Sequence, residues 1–189
     1  MLLVLSDDEA AQHQIQNERV DVLVSCGDMA DGIILQVAQA VGCAHIVAVK
    51  GNHDSGAPFS PPIVDLHLVT HTIGGVRFGG FHGSWRYKPR GHYLYEQAEV
   101  ERLLATFPPV DVFVAHNSPR HIHDRDDDVH LGFEAFVSYI ERTRPRLFIH
   151  GHQHVDRETR LDHTRVIGVF GQRRLEIEGA PLPPSLGSS

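Results

Sequence analysis

The sequence predicts an α/β fold with mixed sheets, on three observations. Short, β-branched apolar runs alternate with segments of helical periodicity over the first fifty residues. Later runs are joined by a Gly-containing turn suited to an antiparallel hairpin. The chain has 189 residues, the length of one ordinary domain. Residues 1–179 are expected to form that domain, and 180–189 (Ala-Pro-Leu-Pro-Pro-Ser-Leu-Gly-Ser-Ser) to form a flexible tail.

Residues 2–5, 20–25 and 45–49 each have the length and composition of a buried strand, and together they suggest parallel pairing. Residues 8–18, rich in Ala, Gln and Glu, are expected to be helical. Ile33, Ile34, Val37, Ala40 and Val41 recur at helical spacing before Gly42 closes the segment. The order so far is β-α-β-α-β. Residues 55–65 turn to Ser, Gly and Pro, and 66–71 with 76–81 then flank Ile73-Gly74-Gly75 as a hairpin. Residues 95–106 and 132–143 are expected as helices, 110–114 and 146–150 as strands, and 164–170 with 173–178 as a last hairpin.

Composition excludes several classes. With 41% hydrophobic and 22% charged residues the chain is neither disordered nor fibrous. No apolar run approaches the ~18 residues of a membrane span. The first residues, Met-Leu-Leu-Val-Leu-Ser-Asp-Asp, lack the basic start of a secretory signal. A formal charge of -7 argues against broad nucleic-acid or anionic-lipid binding. Two cysteines, Cys26 and Cys43, in a chain of this size fit a reducing compartment, so a cytoplasmic location is expected. The 15 histidines, scattered along the chain, supply metal ligands and groups that titrate near neutrality.

Ligand-type residues follow the strand candidates in turn. Asp7 and Glu9 follow 2–5, Asp28 follows 20–25, and Asn52, His53 and Asp54 follow 45–49. His116 follows 110–114, and His152 and His154 follow 146–150. A lone His or Asp in a loop is ordinarily a cap or a solvated residue. Five groups placed alike point instead to one site at the carboxyl ends of the strands. Carboxylates and imidazoles suit Mn, Fe, Zn, Co or Ni, and the lack of a Cys cluster argues against a thiolate site. Ions held this way acidify bound water and stabilise negative charge.

The motifs Asp7-x-Glu9, Gly27-Asp28-x-x-Asp31, Gly51-Asn52-His53-Asp54, His116 and Gly151-His152-x-His154 occur in an order that resembles the calcineurin-like metallophosphoesterases. Their signature reads D-x-H, G-D-x-x-D, G-N-H-[DE], a single His, then G-H-x-H. The resemblance implies a four-layer α/β/β/α sandwich and a binuclear, metal-dependent phosphoesterase in which a metal-bridging hydroxide attacks phosphorus. It implies one metal on Asp7, Glu9, Asp28 and His154 and a second on Asp28, Asn52, His116 and His152. It further implies that His53 protonates the leaving group and that Asp54 orients His53. Manganese or iron is the expected pair.

Glu9 departs from the usual His of the first motif. A glutamate still offers an oxygen ligand, while its alternative role is a first-turn helix residue favoured by the macrodipole. Gly83-Ser84-Trp85-Arg86-Tyr87 joins a guanidinium to aromatics, which suits phosphate and a planar base; its alternative is a surface loop with a packed Trp. The stretch 121–133 is expected beside the rim, with Asp124 and His130 as substrate neighbours. Both segments resemble a small bacterial branch of the family that carries S-D-x-E, which supports Glu9 as a ligand. Asp31 is expected to cap the following helix and Cys26 to be a small buried residue.

The expected substrate is a small phosphoester, nucleotides included, with a diester preferred over a monoester on the strength of that resemblance. A monomer or homodimer is expected. The competing class is a non-catalytic interaction scaffold on the same fold. Nucleotide binding without hydrolysis is the weaker third reading, since neither Gly-x-Gly-x-x-Gly nor a P-loop is present.

Overall fold

The computed structural model describes residues 1–14 and 19–177. The elements run β1 (Leu2–Ser6), a 3-10 helix (Glu9–Gln14), β2 (Val22–Ser25), α1 (Asp31–Ala40), β3 (Ile46–Ala48), β4 (Val64–Asp65), β5 (Thr70–Ile73) and β6 (Val76–Phe81). They continue with β7 (Ser84–Trp85), β8 (Leu94–Tyr95), α2 (Gln97–Leu104), β9 (Val112–Ala115), α3 (Glu134–Thr143), β10 (Leu147–His150), β11 (Arg157–Leu161), β12 (Thr164–Gly168) and β13 (Gly171–Leu175). No helix among the described residues is long and apolar enough to cross a membrane.

Two mixed sheets carry the fold, in the orders β13-β1-β2-β3-β4 and β11-β12-β10-β9-β6-β5. β1 to β4 are parallel, and β13 closes that sheet antiparallel to β1. In the second sheet β12, β10, β9 and β6 are parallel, with β11 and β5 as antiparallel edges. The central strands are apolar on both faces, as parallel strands covered on both sides must be. Period-two alternation divides them. Val4, Val22 and Val24 share a core with Phe78, Val112, Val114 and Ile149 of the opposite sheet. Leu3, Leu5 and Leu23 turn outward to Ile34, Val37 and Ala38 of α1. On the far side Phe113 and Phe148 meet Val100 and Leu104 of α2 and Phe136, Tyr139 and Ile140 of α3.

Three expectations change. The last two strands are not a hairpin. β12 lies between β10 and β11, whereas β13 pairs with β1 in the other sheet, so the chain changes sheets at Val169 and Phe170. Adjacent strand-like runs reveal their length but not their partners, and here the free edge of β1 supplies the longer-range pairing. The first helix is a short 3-10 turn, and the rest of its expected span, 15–18, lies outside the described residues. The strand expected from 66 begins at Thr70, with His67 contributing only an isolated bridge to Gly80. The tail expected at 180–189 and the domain end at 179 lie outside the described residues.

Register fixes what the site receives. Ser25 pairs with Leu5 and Ala48, and Ala115 pairs with Phe81 and His150, so the carboxyl ends of both sheets finish together. The loops that leave those ends carry every motif.

Candidate metal centre

Four motif residues leave their strands in the left-handed region: Asp7 (φ 60°), Asp28 (φ 52°), His152 (φ 62°) and His154 (φ 50°). Non-glycine residues are uncommon there, and such conformations persist where surrounding contacts hold them, often at functional sites. The motif glycines explain how the loops come so close. A Cβ on Gly27, itself at φ 94°, would overlap the Gly51 backbone, and one on Gly151 would overlap Ser6 Oγ and the Asp7 carboxylate.

Three ligand atoms, one each from Asp7, Asp28 and His116, lie within 4.8 Å of one another. The Asp7 side chain is 1% exposed. Its Oδ2 accepts from Ser6 Oγ and from the His152 amide at 2.9 Å. Its buried Oδ1 accepts no hydrogen bond, and His154 Nε2 stands 3.6 Å away. A buried carboxylate oxygen without a donor is costly, and a cation at this point removes the cost. The donor set therefore fits a metal ion.

His116 is fully buried, and all its ring partners are acceptors. Nδ1 donates to the Cys26 carbonyl at 2.8 Å. Nε2 lies 3.0 Å from Asn52 Oδ1 and 3.3 Å from Asp28 Oδ2. Both nitrogens thus carry protons when no ion is bound, and the ring is an imidazolium. Burial opposes that charge, but Asp28, Asp7 and the Cys26 carbonyl outweigh it and raise the pKa to about 9. Burial likewise opposes the Asp28 carboxylate, while His116 and the His53 amide draw its pKa down to about 2. The Cys26 carbonyl keeps a proton on Nδ1, so loss of the Nε2 proton presents that lone pair to the ligand cluster.

His152 has the opposite character. Burial and the neighbouring His116 push its pKa down to about 3. Its Nε2 donates to the Val129 carbonyl at 3.2 Å, which leaves the lone pair on Nδ1. Its ring lies between those of His116 and His130, at 5.0 and 5.3 Å. His154 is 56% exposed, and Asp7 raises its pKa. Asn52 is buried, with Oδ1 on His116 and Nδ2 donating to Tyr87 OH at 3.1 Å. His53 is exposed and donates its backbone N–H to Asp28 Oδ1 at 2.8 Å.

Beside Asp28 opens a cavity of about 530 Å³, lined among others by Glu9, Asp31, Lys50, His53, Asp54 and Pro58. Glu9 stands on this wall, outside the Asp7–Asp28–His116 cluster. It begins the 3-10 helix, and its Oε1 accepts from the Ala30 amide at 3.2 Å.

Several expected roles change with the partners these residues meet. Asp54 does not orient His53 through Oδ2. That oxygen accepts from the amides of Asp28 at 2.9 Å and Gly51 at 2.7 Å, locking two metal-site loops together. Asp124 is 5% exposed and binds Arg120 at 2.6 Å and the Gly132 amide at 3.1 Å, so it holds its loop and does not face a substrate. Arg86 pairs with Glu96 at 3.1 Å, and Trp85 packs against the α2–α3 core. His130 does reach the site, through its contact with His152. Asp31 sits inside α1 and not at its cap; its carboxylate takes the buried Lys50 ammonium at 2.9 Å and the Ser60 amide at 2.6 Å.

Other participants received no role of their own from the sequence. Tyr87 reaches Asn52 across 35 residues of chain. Gln153, the unassigned residue of Gly-His-x-His, is buried, and its amide donates to Asn117, Ser118 and the His130 carbonyl. His150 donates from Nδ1 to the Gly151 carbonyl and accepts at Nε2 from His123, whose other nitrogen meets Thr159. This chain, buried at His150 and half-buried at His123, braces the last metal loop, and burial holds His150 at a pKa of about 3.

The family model for calcineurin-like phosphoesterases matches residues 5–156, the span that contains all of these loops. The chain belongs to the calcineurin-like phosphoesterase family. That family is metal-dependent, in keeping with the cluster around Asp7 Oδ1. No curated protein matches the sequence. Among solved structures, the phosphopantetheinyl hydrolase of Mycobacterium tuberculosis is 15% identical with a TM-score of 0.60, covering 96% of this chain and 98% of its own. The protein TT1561 of Thermus thermophilus is 16% identical with a TM-score of 0.59, covering 88% of this chain and 87% of its own. At these identities the likeness is one of fold.

Proposed function

We propose that the protein is a phosphoester hydrolase that uses two divalent ions, manganese or iron, and prefers phosphodiesters to monoesters. The observation that carries the metal dependence is the donorless Asp7 Oδ1, buried within reach of Asp28 and His116. Asp7, Glu9, Asp28 and His154 would hold one ion and Asp28, Asn52, His116 and His152 the other. Bound ions of this kind acidify water and neutralise charge on a phosphoryl group.

The chain's own residues do the rest. Asp54 keeps the Asp28 and Gly51 loops in register, and Tyr87 holds the Asn52 amide with its oxygen toward His116. His53, at the mouth of the cavity, donates a proton to the leaving alkoxide as hydroxide adds to phosphorus and the phosphorus–oxygen bond breaks, and the proton given up by the attacking water returns to His53 through solvent. The leaving alcohol then occupies the cavity beside Asp28. Asp124 drops out of the substrate contacts, because its buried carboxylate is engaged by Arg120, whereas Arg86, in an exposed pair with Glu96, stays available to a substrate. His130 remains, next to His152.

Metal content and hydrolysis of an aryl phosphodiester and an aryl phosphomonoester, in wild type and Asp28→Asn, test this reading. The expected result is two equivalents of metal, faster diester turnover, and loss of both metal and turnover in the variant. Full metal loading with full activity in Asp28→Asn refutes the site. A reconstituted wild type with no metal and no turnover favours the scaffold class.

A further inference from the structure

Phe170 is 42% exposed and, with Val69, is one of two large hydrophobic residues exposed among the described residues. A lone exposed Phe is unremarkable in itself; its position is not. Its ring lies 4.9 Å from that of His154, tilted by 36°. Its backbone is pinned between the two strands that deliver the metal loops. On one side the Val169 amide bonds to the His150 carbonyl at 2.8 Å, at the end of β10. On the other side Gly171 pairs with Ser6, at the end of β1. The ring is therefore held at the rim of the centre with one face of apolar surface in water.

The cavity next to Asp28 is lined by neither Asp7, His154 nor Phe170. The cavity thus adjoins the ligand cluster at Asp28, while Phe170 adjoins His154, whose Nε2 stands 3.6 Å from Asp7 Oδ1. Of the two substituents on a phosphodiester held at the centre, one would face the cavity and the other the exposed Phe170 ring. We propose that Phe170, with His154, forms a shelf that stacks a planar, apolar group on the retained alcohol of a phosphodiester, such as an aryl ring or a nucleobase. This rests on the hydrolase reading above, in which His53 places the leaving alcohol in the cavity. Stacked aromatic pairs gain attraction beyond the area they bury, so the shelf selects flat groups over alkyl groups of lesser area.

Two diesters with the same leaving group test the shelf: phenyl p-nitrophenyl phosphate and methyl p-nitrophenyl phosphate, each assayed for p-nitrophenol release. The metal-loaded wild type is expected to favour the phenyl ester in kcat/KM by about tenfold. Phe170→Ser should bring that ratio close to one, and Phe170→Leu should retain part of it. In parallel, calorimetry compares phenylphosphonate with methylphosphonate, which need no turnover; the same preference should appear and vanish in Phe170→Ser. An unchanged ratio in the variant overturns the shelf and leaves the hydrolase reading intact. Equal losses on both esters with falling metal content also overturn it, since Phe170 would then merely support His154. No ester turnover by wild type refutes the hydrolase reading, while the phosphonate ratio still decides the shelf.

Discussion

Metal uptake by this protein should displace a proton from His116, and the structure sets the size of the effect. All three partners of the ring are acceptors, so both nitrogens are protonated without an ion, and the pKa stands at about 9. A metal can take Nε2 only after that proton leaves. At pH 7 the ring lies about two units below its pKa, which costs about 3 kcal/mol of metal affinity. Apparent affinity should therefore rise about tenfold per unit from pH 7 to pH 9 and level off above it. Burial holds His152 neutral, so it releases no proton. Titration of the chelator-stripped protein with zinc, by calorimetry at pH 7.5 in buffers of differing ionisation enthalpy, counts the protons. The expected count is about one or more per protein. A count near zero with pH-independent affinity would refute the imidazolium and leave His116 a neutral ring.

The same ion pair should shape the stability of the metal-free protein. The His116 pKa is raised from 6.5 to about 9, so its contribution is complete below pH 6.5 and is lost as pH rises through 9. A fall of up to about 3 kcal/mol in denaturant titrations between those limits is expected, and a flat profile would contradict it. Glu9→Ala should lower bound metal from two equivalents toward one; retention of both, by elemental analysis, would confine Glu9 to the cavity wall and the Ala30 amide. Gly151→Ala should abolish metal binding in a folded protein, because the new Cβ displaces Ser6 and Asp7; normal loading would show that the loop can move aside. Asp124→Ala, which takes the acceptor from Arg120 Nη1 and the Gly132 amide while Asp126 keeps Nη2, should cost about 2 kcal/mol in unfolding experiments. Its effect on the KM of a small substrate should be slight, and a large KM effect at unchanged stability would return Asp124 to the substrate.

The sequence alone determined the strands β1 to β3, the helices α1, α2 and α3, and the placement of Asp7, Asp28, Asn52, His116 and His152 after strand ends. These are local properties. A buried parallel strand must be apolar along its length, and the residues that follow it in the chain leave from its carboxyl end. The tertiary structure alone decided who meets whom. It sent β13 to the edge of β1 and not back onto β12, since hydrogen-bonding partners of a strand are chosen across the whole chain. It assigned the oxygens of Asp54 and Asp124 to backbone amides and to Arg120, roles that a carboxylate in a motif or an acidic stretch does not announce. It brought Tyr87 to Asn52 and Phe170 to His154. A side chain's chemistry is written in its own residue type, but its protonation, its partner and its face toward a ligand are set by neighbours distant in sequence. His116 and His152 show this most directly: of two buried histidines with rings 5.0 Å apart, one has a pKa of about 9 because Asp28 and Asp7 outweigh burial, and the other a pKa of about 3 because burial and the charge of the first prevail.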